Sequence, residues 1–125
     1  GEDAICPVEP ETPMWLLSPR AAVDSLIRAH ETPRALWQSV THNQALNLPG
    51  LTVTVAQMIE ALRAVGGDAA VARIRIAPDE RIKAIVQSWP ARFDTARART
   101  LGFAADPSFD AVVRAYAATL TGATR

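Results

Sequence analysis

The sequence has a single cysteine and no long apolar run. Cys6 has no second thiol to pair with, which excludes an internal disulfide framework and a cluster of thiolate metal ligands. Free thiols are typical of reducing compartments, so we expect a cytoplasmic protein. No segment approaches the roughly 20 apolar residues of a membrane span, and the acidic, proline-rich start GEDAICPVEPETP does not resemble a signal peptide. The sequence therefore predicts a soluble, unsecreted chain.

The sequence also lacks an excess of charge of either sign. Thirteen lysine and arginine residues balance thirteen aspartate and glutamate residues, which gives a formal net charge of zero. Binding to a nucleic-acid backbone or to an anionic membrane surface depends on a positive field that this composition does not supply. We therefore expect neither nucleic acid nor a membrane as a partner.

Residues for the common catalytic and cofactor motifs are missing. Lys83 is the only lysine and precedes Tyr116, the only tyrosine, so a Tyr-x-x-x-Lys pair cannot form, and Tyr116 fits the core side of the last helix. The sequence contains neither a G-x-S-x-G elbow nor a G-x-G-x-x-G cofactor loop. His30 and His42 do not have a metal-ligand spacing and fit a helix end and a loop. We predict no catalytic residue, no metal ligand and no cofactor bound by this chain alone.

Helical patterns dominate the 125 residues, which fit one domain with a modest core. Ser18 suits an N-cap and Pro19 the first helical position, and apolar residues at helical spacing then predict a helix from about Pro19 to Glu31. Thr54 is expected to cap a second helix that Gly66-Gly67 ends. Three further helices are predicted: one after Pro78, one capped by Asp94 and one capped by Ser108.

The β-type patterns are short and lie far apart. AICPV is predicted as an edge strand followed by a loop, QALNLPG as a strand closed by a Pro-Gly turn, and ARIRI as a strand with Ile74 and Ile76 inward. Residues 32–43 are expected to be irregular. The predicted fold is an α+β lobe, mostly helical, with four to five helices and two to three short strands. Several strands have no neighbouring strand in sequence to pair with, so we expect the lobe to pack against another domain.

Arginines and one tryptophan are the candidates for ligand binding. Arg20 is expected in the first turn of a helix, where a cation opposes the helix dipole, which indicates a partner such as Glu9, Glu11 or an anionic ligand. Arg92 lies in a loop between two predicted helices, a common position for ligand contacts. Each arginine also fits a surface salt bridge. Trp15 is expected in the loop before the first helix, where it either fills the core or lines a pocket.

Three consecutive stretches of the chain resemble the C-terminal substrate-binding lobe of the NAD-dependent epimerase/dehydratase family, the extended short-chain dehydrogenases. They are PVEPETPMWLLSPRAAVDSLIRAHE, ALNLPGLTVTVAQMIEALRAVGGDAAVARIRIAPD and IVQSWPARFDTARARTLGFAADPSFDAVVRAY. The LGF-x-x-x-x-S-F ending occurs widely in the family, whereas LNLPGLTVTV together with WPARFD is similar to its sugar-acid branch. The resemblance covers nearly the whole chain.

The resemblance implies that residues 1–125 form a single substrate-binding lobe and that the N-terminal Rossmann domain is absent from this chain. In the family, that domain holds NAD and the catalytic residues, so the lobe alone is expected to be inactive. The implied activity of the parent enzyme is NAD-dependent oxidation of a small sugar acid resembling D-erythronate. The residues expected near this substrate are Arg92, Arg20, Trp15 and Ser18.

A second hypothesis assigns the chain to another class of protein. A free-standing, non-catalytic helical module that docks a protein partner through an exposed apolar face would have the same composition. For the substrate-binding lobe, exposed apolar surface predicts self-association of the isolated chain. Cooperative unfolding as a defined monomer or oligomer would favour the module, whereas a marginally stable chain that binds ANS would favour the lobe.

Overall fold

The computed structural model describes residues 2–41, 43 and 45–122. These residues contain seven helices and four short strands, and the α+β class is confirmed. The five predicted helices are present, together with two short ones that the sequence did not predict. In chain order the elements are β1 Ala4–Cys6, β2 Pro13–Leu16, α1 Pro19–Glu31, α2 Arg34–Val40, β3 Leu51–Thr54, α3 Val55–Gly66, α4 Asp68–Val71, β4 Ile74–Ile76, α5 Glu80–Gln87, α6 Ala96–Thr100 and α7 Phe109–Gly122.

The four strands form two separate pairs. β1 runs parallel to β4, with Ala4 opposite Ile74, and β2 runs antiparallel to β3, with Trp15 opposite Thr52. Each strand in the described part of the chain therefore has a partner, contrary to the expectation of unpaired strands. The prediction that both isoleucines of β4 point inward is wrong for Ile76, which is 44% exposed.

Two strand predictions need correction. The residues before the first helix form β2 instead of a loop, because Pro13 begins the strand, where its missing amide hydrogen is tolerated. Residues 45–50 of the predicted QALNLPG strand pair with no strand in the described chain, and Gln44 lies outside the described residues. The strand begins one residue after Gly50 and ends at Thr54, so the Pro-Gly turn precedes the strand that it was expected to close.

The helix boundaries follow local capping chemistry. α1 has the predicted bounds, and the Ser18 hydroxyl accepts a hydrogen bond from the amide of Ala21 at 3.1 Å. At the start of α3, the side chains of Thr54 and Gln57 each accept a hydrogen bond from the other residue's amide, which satisfies two amides that a helix start leaves free. The Asp94 carboxylate accepts a hydrogen bond from the Ala96 amide at the start of α6. The Ser108 hydroxyl similarly caps α7.

Helix α2 replaces the irregular segment predicted for residues 32–43. Its first turn closes on the carbonyl of Pro33. Trp37 is half-buried, donates a hydrogen bond from its ring nitrogen to the Ala29 carbonyl at 3.2 Å, and meets the Phe103 ring edge-on. The contacts of Trp37 with distant residues stabilise this helix, which explains why local patterns did not predict it. His42 lies outside the described residues, and His30 lies in the last turn of α1, as predicted.

The core is small and lies where the β1 region meets α3 and α5. Val8, Val55 and Val86 are buried together, and Cys6, Met14 and Ile59 pack against them. Gly67 and Gly102 end α3 and α6 with φ values of 74° and 80°, in the left-handed region that favours glycine. No helix in the described ranges is long and apolar enough to cross a bilayer.

Helix α1 presents its apolar side to solvent. We call Val23, Leu26 and Ile27 the outer face of α1; they are 53%, 68% and 51% exposed. The less exposed side of the helix, which faces the rest of the lobe, carries the small residues Ala21, Ala22, Ser25 and Ala29, of which Ser25 is buried. This orientation is the reverse of that of a surface helix in an isolated globular domain, whose apolar side faces the core.

Candidate functional site

The start of α1 is tied to the segment that precedes α7. Both oxygens of the Asp106 carboxylate accept hydrogen bonds from Ser18, one from its amide at 2.8 Å and one from its hydroxyl at 2.7 Å. The same hydroxyl accepts the amide hydrogen of Ala21, so it acts as donor and acceptor at once. Ser18 therefore connects two elements 88 positions apart and caps a helix.

A cleft of about 820 Å³ opens beside this contact, between α1 and α7. Its apolar wall consists mainly of alanine, proline and valine side chains from residues 104–115. The polar and aromatic residues that line it are Ser18, Arg20, Asp24, Ser25, Arg28, Phe103, Asp106, Tyr116 and Thr119. An apolar cavity with a few convergent polar groups is the usual form of a small-molecule site.

Two arginines in the cleft, Arg20 and Arg28, form no ion pair with a carboxylate of the described residues. Arg20 forms no ion pair with Glu9 or Glu11, the acidic partners that the sequence suggested, and Glu9 instead lies 3.9 Å from the ammonium of Lys83. Arg28 extends over Gly102, where a Cβ atom would stand 3.0 Å from its Nη1. The planar forks of both arginines suit a carboxylate or phosphate group.

Trp15 belongs to a different part of the lobe, in the β2–β3 pair. Its ring lies 5.7 Å from that of Phe93, at an angle of 60° between the ring planes. It also covers the backbone of Gly50, where a Cβ atom would stand 2.8 Å from ring atoms Cε2 and Nε1. Trp15 is half-buried, so it packs on the sheet and keeps one part of its surface accessible.

Arg92 lies in the loop between α5 and α6, beside the Trp15–Phe93 contact. The Ala91 carbonyl accepts a hydrogen bond from the Thr52 hydroxyl at 2.8 Å, which attaches this loop to β3 opposite Trp15. The Arg92 side chain is exposed and forms no hydrogen bond or ion pair with other described residues. The four predicted site residues thus fall into two groups, with Ser18 and Arg20 at the cleft, and Trp15 and Arg92 near the β2–β3 pair.

Sequence reasoning missed two cleft residues and misjudged a third. Asp106 and Arg28 line the cleft but belong to no local motif that singles them out. Tyr116, predicted to be in the core, is 65% exposed and lines the cleft instead. Only Ser18 offered a signal for Asp106. The Ser18 amide and hydroxyl lie at the start of a helix, and hydrogen-bonding groups that become buried there need partners.

The glycine turns of the described residues differ from those of a dinucleotide site. NAD-binding domains cradle the pyrophosphate with a glycine-rich turn between a parallel strand and the start of a helix. The glycines with positive φ in the described residues, Gly67 and Gly102, follow helices α3 and α6 instead of β-strands. Neither glycine therefore forms a turn of the kind that cradles a pyrophosphate.

Two curated relatives match this chain over most of its length. The D-erythronate dehydrogenase of Cupriavidus necator is 49% identical over 116 residues, which are 93% of this chain and 35% of that protein. The D-erythronate dehydrogenase of Haemophilus influenzae is 41% identical over 116 residues, with 93% and 36% covered. The chain thus spans about a third of the length of the curated relatives that it matches. No protein-family profile matches it.

Solved structures of related enzymes contain the same fold. The nucleoside-diphosphate-sugar epimerase of Agrobacterium tumefaciens superposes with a TM-score of 0.83 at 40% identity, covering 90% of this chain and 32% of that one. The holo form of a GalE-like L-threonine dehydrogenase from Cupriavidus necator has a TM-score of 0.78 at 26% identity, with 95% and 37% covered. The resemblance to the extended short-chain dehydrogenases is confirmed. The lobe has the fold of one part of these larger proteins. Its exposed apolar surface includes the outer face of α1.

Proposed function

We propose that this chain is the substrate-recognition lobe of an NAD-dependent oxidoreductase that acts on a small sugar acid resembling D-erythronate. The observation that carries the proposal is the 49% identity to a D-erythronate dehydrogenase across 93% of the chain. The chain also contains the segments that are similar to the sugar-acid branch of the family. Those segments include WPARFD, which contains Arg92, and LNLPGLTVTV, which contains Gly50.

The outer face of α1 supports a larger parent protein. Three apolar side chains on one side of a helix are half or more exposed, although burying such a side chain stabilises a protein by about 1.5 to 3 kcal/mol. An adjacent domain would bury them, and the curated relatives have a further part that this chain does not cover. The family resemblance implies that this part is a Rossmann domain, which would hold NAD and the catalytic tyrosine and lysine. The lobe alone would then be inactive.

Each of the two groups of site residues offers contacts that suit a sugar acid. Arg20 and Arg92 each offer a guanidinium without a carboxylate partner among the described residues, and a guanidinium binds a carboxylate through two parallel hydrogen bonds. Trp15 supplies a flat apolar surface of the kind that packs against a carbon chain. In the proposal, the lobe binds and orients the substrate, and the other domain carries out the hydride transfer. The cytoplasmic location stays a prediction.

The test is an activity measurement on the full-length protein that contains these residues. Purified protein is mixed with NAD and one candidate substrate at a time: D-erythronate, L-threonine or a nucleotide sugar. Formation of NADH is followed by absorbance. We expect NADH with D-erythronate and little or none with the other two compounds. The 125-residue chain, assayed in parallel, should produce none. A full-length protein that leaves every sugar acid unoxidised would contradict the proposal.

The outer face of α1 also favours the second function, a non-catalytic helical module that docks a protein partner. The two functions differ in the native mass of the protein and in its activity. A Rossmann domain with this lobe would be about two to three times the 13.4 kDa of the chain, given the usual size of domains. Intact mass spectrometry of the native protein, captured by antibody from source cells, measures this directly. A native species of 13.4 kDa without NAD-linked activity would favour the module.

A further inference from the structure

The Asp106 carboxylate acts as a hydrogen-bond acceptor for Ser18 and not as an ion-pair partner. Its carboxylate lines a cleft that also contains Arg20 and Arg28, yet it forms an ion pair with neither. Both of its oxygens instead accept hydrogen bonds from Ser18, at 2.8 and 2.7 Å. Hydrogen bonds to a charged acceptor are stronger than those between neutral groups, and the half-buried site protects them from competition by water.

Ser18 occupies the junction between β2 and α1, so the Asp106 contact fixes the direction in which α1 leaves the sheet. Trp15 lies three residues before this junction, and Arg20 lies two residues after it. The hydroxyl of Ser18 also caps α1, and it therefore transmits the position of Asp106 to the first turn of the helix. A shift at Ser18 would move Arg20 and the outer face of α1 together.

The other attachments of α1 lie farther along the helix. Arg28 contacts Gly102 beside α6, and the Ala29 carbonyl accepts the hydrogen bond from Trp37 of α2. These contacts hold the second half of α1. Among the described residues, the Asp106 carboxylate is the hydrogen-bond acceptor that fixes its first turn to a distant segment.

We propose that Asp106 is a positioning residue for substrate binding, which holds the β2–α1 junction so that Arg20 faces the cleft and Trp15 stays in its place on the sheet. The inference rests on the proposed function, because its effect is on binding of the sugar acid. Asp106 touches neither substrate nor cofactor in this role and acts through Ser18.

The test compares variants of the full-length protein with D-erythronate and NAD as substrates. Asp106→Ala removes both acceptors and should raise KM for D-erythronate on the order of tenfold, with KM for NAD and kcat changed by less than about twofold, because displaced binding groups lose affinity without altering the reacting atoms. Asp106→Asn has almost the same shape and keeps one acceptor, so its KM should fall between those of the wild type and Asp106→Ala. It also provides the measurement if the alanine variant does not fold.

Substitutions at Ser18 separate positioning from general stability. Ser18→Thr keeps the amide and the hydroxyl and should therefore raise KM less than Ser18→Ala does. Ser18→Ala loses one of the two bonds to Asp106 and the cap bond from the Ala21 amide. Adding Asp106→Ala to it should raise KM less than the product of the two single effects, because the two residues share one contact. Asp110→Ala removes a carboxylate from the first turn of α7 that forms no hydrogen bond with other described residues, and KM should not change.

The outcomes distinguish this inference from the proposed function. If the wild type oxidises D-erythronate and Asp106→Ala or Asp106→Asn leaves KM unchanged, the positioning role is wrong and the function stands. A loss of kcat in proportion to folded protein, with KM unchanged, would make Asp106 a purely structural residue and would also overturn the inference. A wild type without activity on any sugar acid overturns the proposed function and, with it, this role.

Discussion

Gly50 provides a sharp test of how β2, β3 and the Trp15 side chain pack together. It is buried one residue before β3, beneath the Trp15 ring. A Cβ atom at this position would stand 2.7 Å from the Leu16 carbonyl oxygen and 2.8 Å from two atoms of the indole. The carbonyl belongs to the strand paired with β3 and cannot move without disturbing that pairing. We therefore expect Gly50→Ala to destabilise the protein by about 1 to 3 kcal/mol, the usual cost of overpacking.

A matched glycine in α3 gives the control. Gly66→Ala adds the same methyl group, whose Cβ would stand 3.0 Å from the Ala70 Cβ and 3.6 Å from Leu62. In a helix, alanine is favoured over glycine by about 1 kcal/mol, which offsets this tight contact. Its free energy of unfolding should therefore stay within about 0.5 kcal/mol of the wild type, the range of most surface substitutions.

The assay is urea denaturation of the full-length protein, with KM for D-erythronate measured on each variant. Gly50→Ala should lower the free energy of unfolding and raise KM, because relief of the clash displaces the Trp15 ring or β2. Gly66→Ala should change neither quantity by a comparable amount. Equal stability of the two variants would refute the close packing of Trp15 on Gly50, and a destabilised Gly50→Ala variant with wild-type KM would separate Trp15 from the substrate.

Three further predictions concern Arg92, the outer face of α1 and the hydrogen bond that attaches the Arg92 loop to β3. Arg92→Ala should cost about 1.5 to 3 kcal/mol in kcat/KM for D-erythronate, whereas Arg81→Ala on α5 should have no effect; equal kinetics would remove Arg92 from the site. Leu26→Asp should reduce self-association of the 125-residue chain in sedimentation velocity and destabilise the full-length protein by at least about 2 kcal/mol, and no change in either would show that the outer face of α1 is unused. Thr52→Val removes the 2.8 Å hydrogen bond to the Ala91 carbonyl and should cost about 1 kcal/mol, with faster amide exchange at residues 91–93; unchanged exchange would contradict the proposed attachment of the loop.

The candidate site was predictable only in part. Ser18 and Arg20 lie at the α1–α7 cleft, as neighbours in sequence would. Trp15 and Arg92 were proposed from their residue types and an expected loop context, and the division of the four residues into two groups was not predicted. Asp106 was missed because its partner lies 88 positions away, and no pattern of neighbouring residues records such a contact. Tyr116 was assigned to the core because helical spacing identifies the apolar side of a helix without showing whether another element covers it.

The sequence by itself determined where most helices begin and end, and what family the chain resembles. Caps and stops need only residues within three or four positions, so Ser18, Thr54 and the glycine after α6 were sufficient to predict these boundaries. Tertiary structure decided the pairing of β2 with β3, the formation of α2 around Trp37, and the outward orientation of the apolar side of α1. These features depend on atoms far apart in the chain, because a ladder, an aromatic contact and the burial of a helix face each require a second surface.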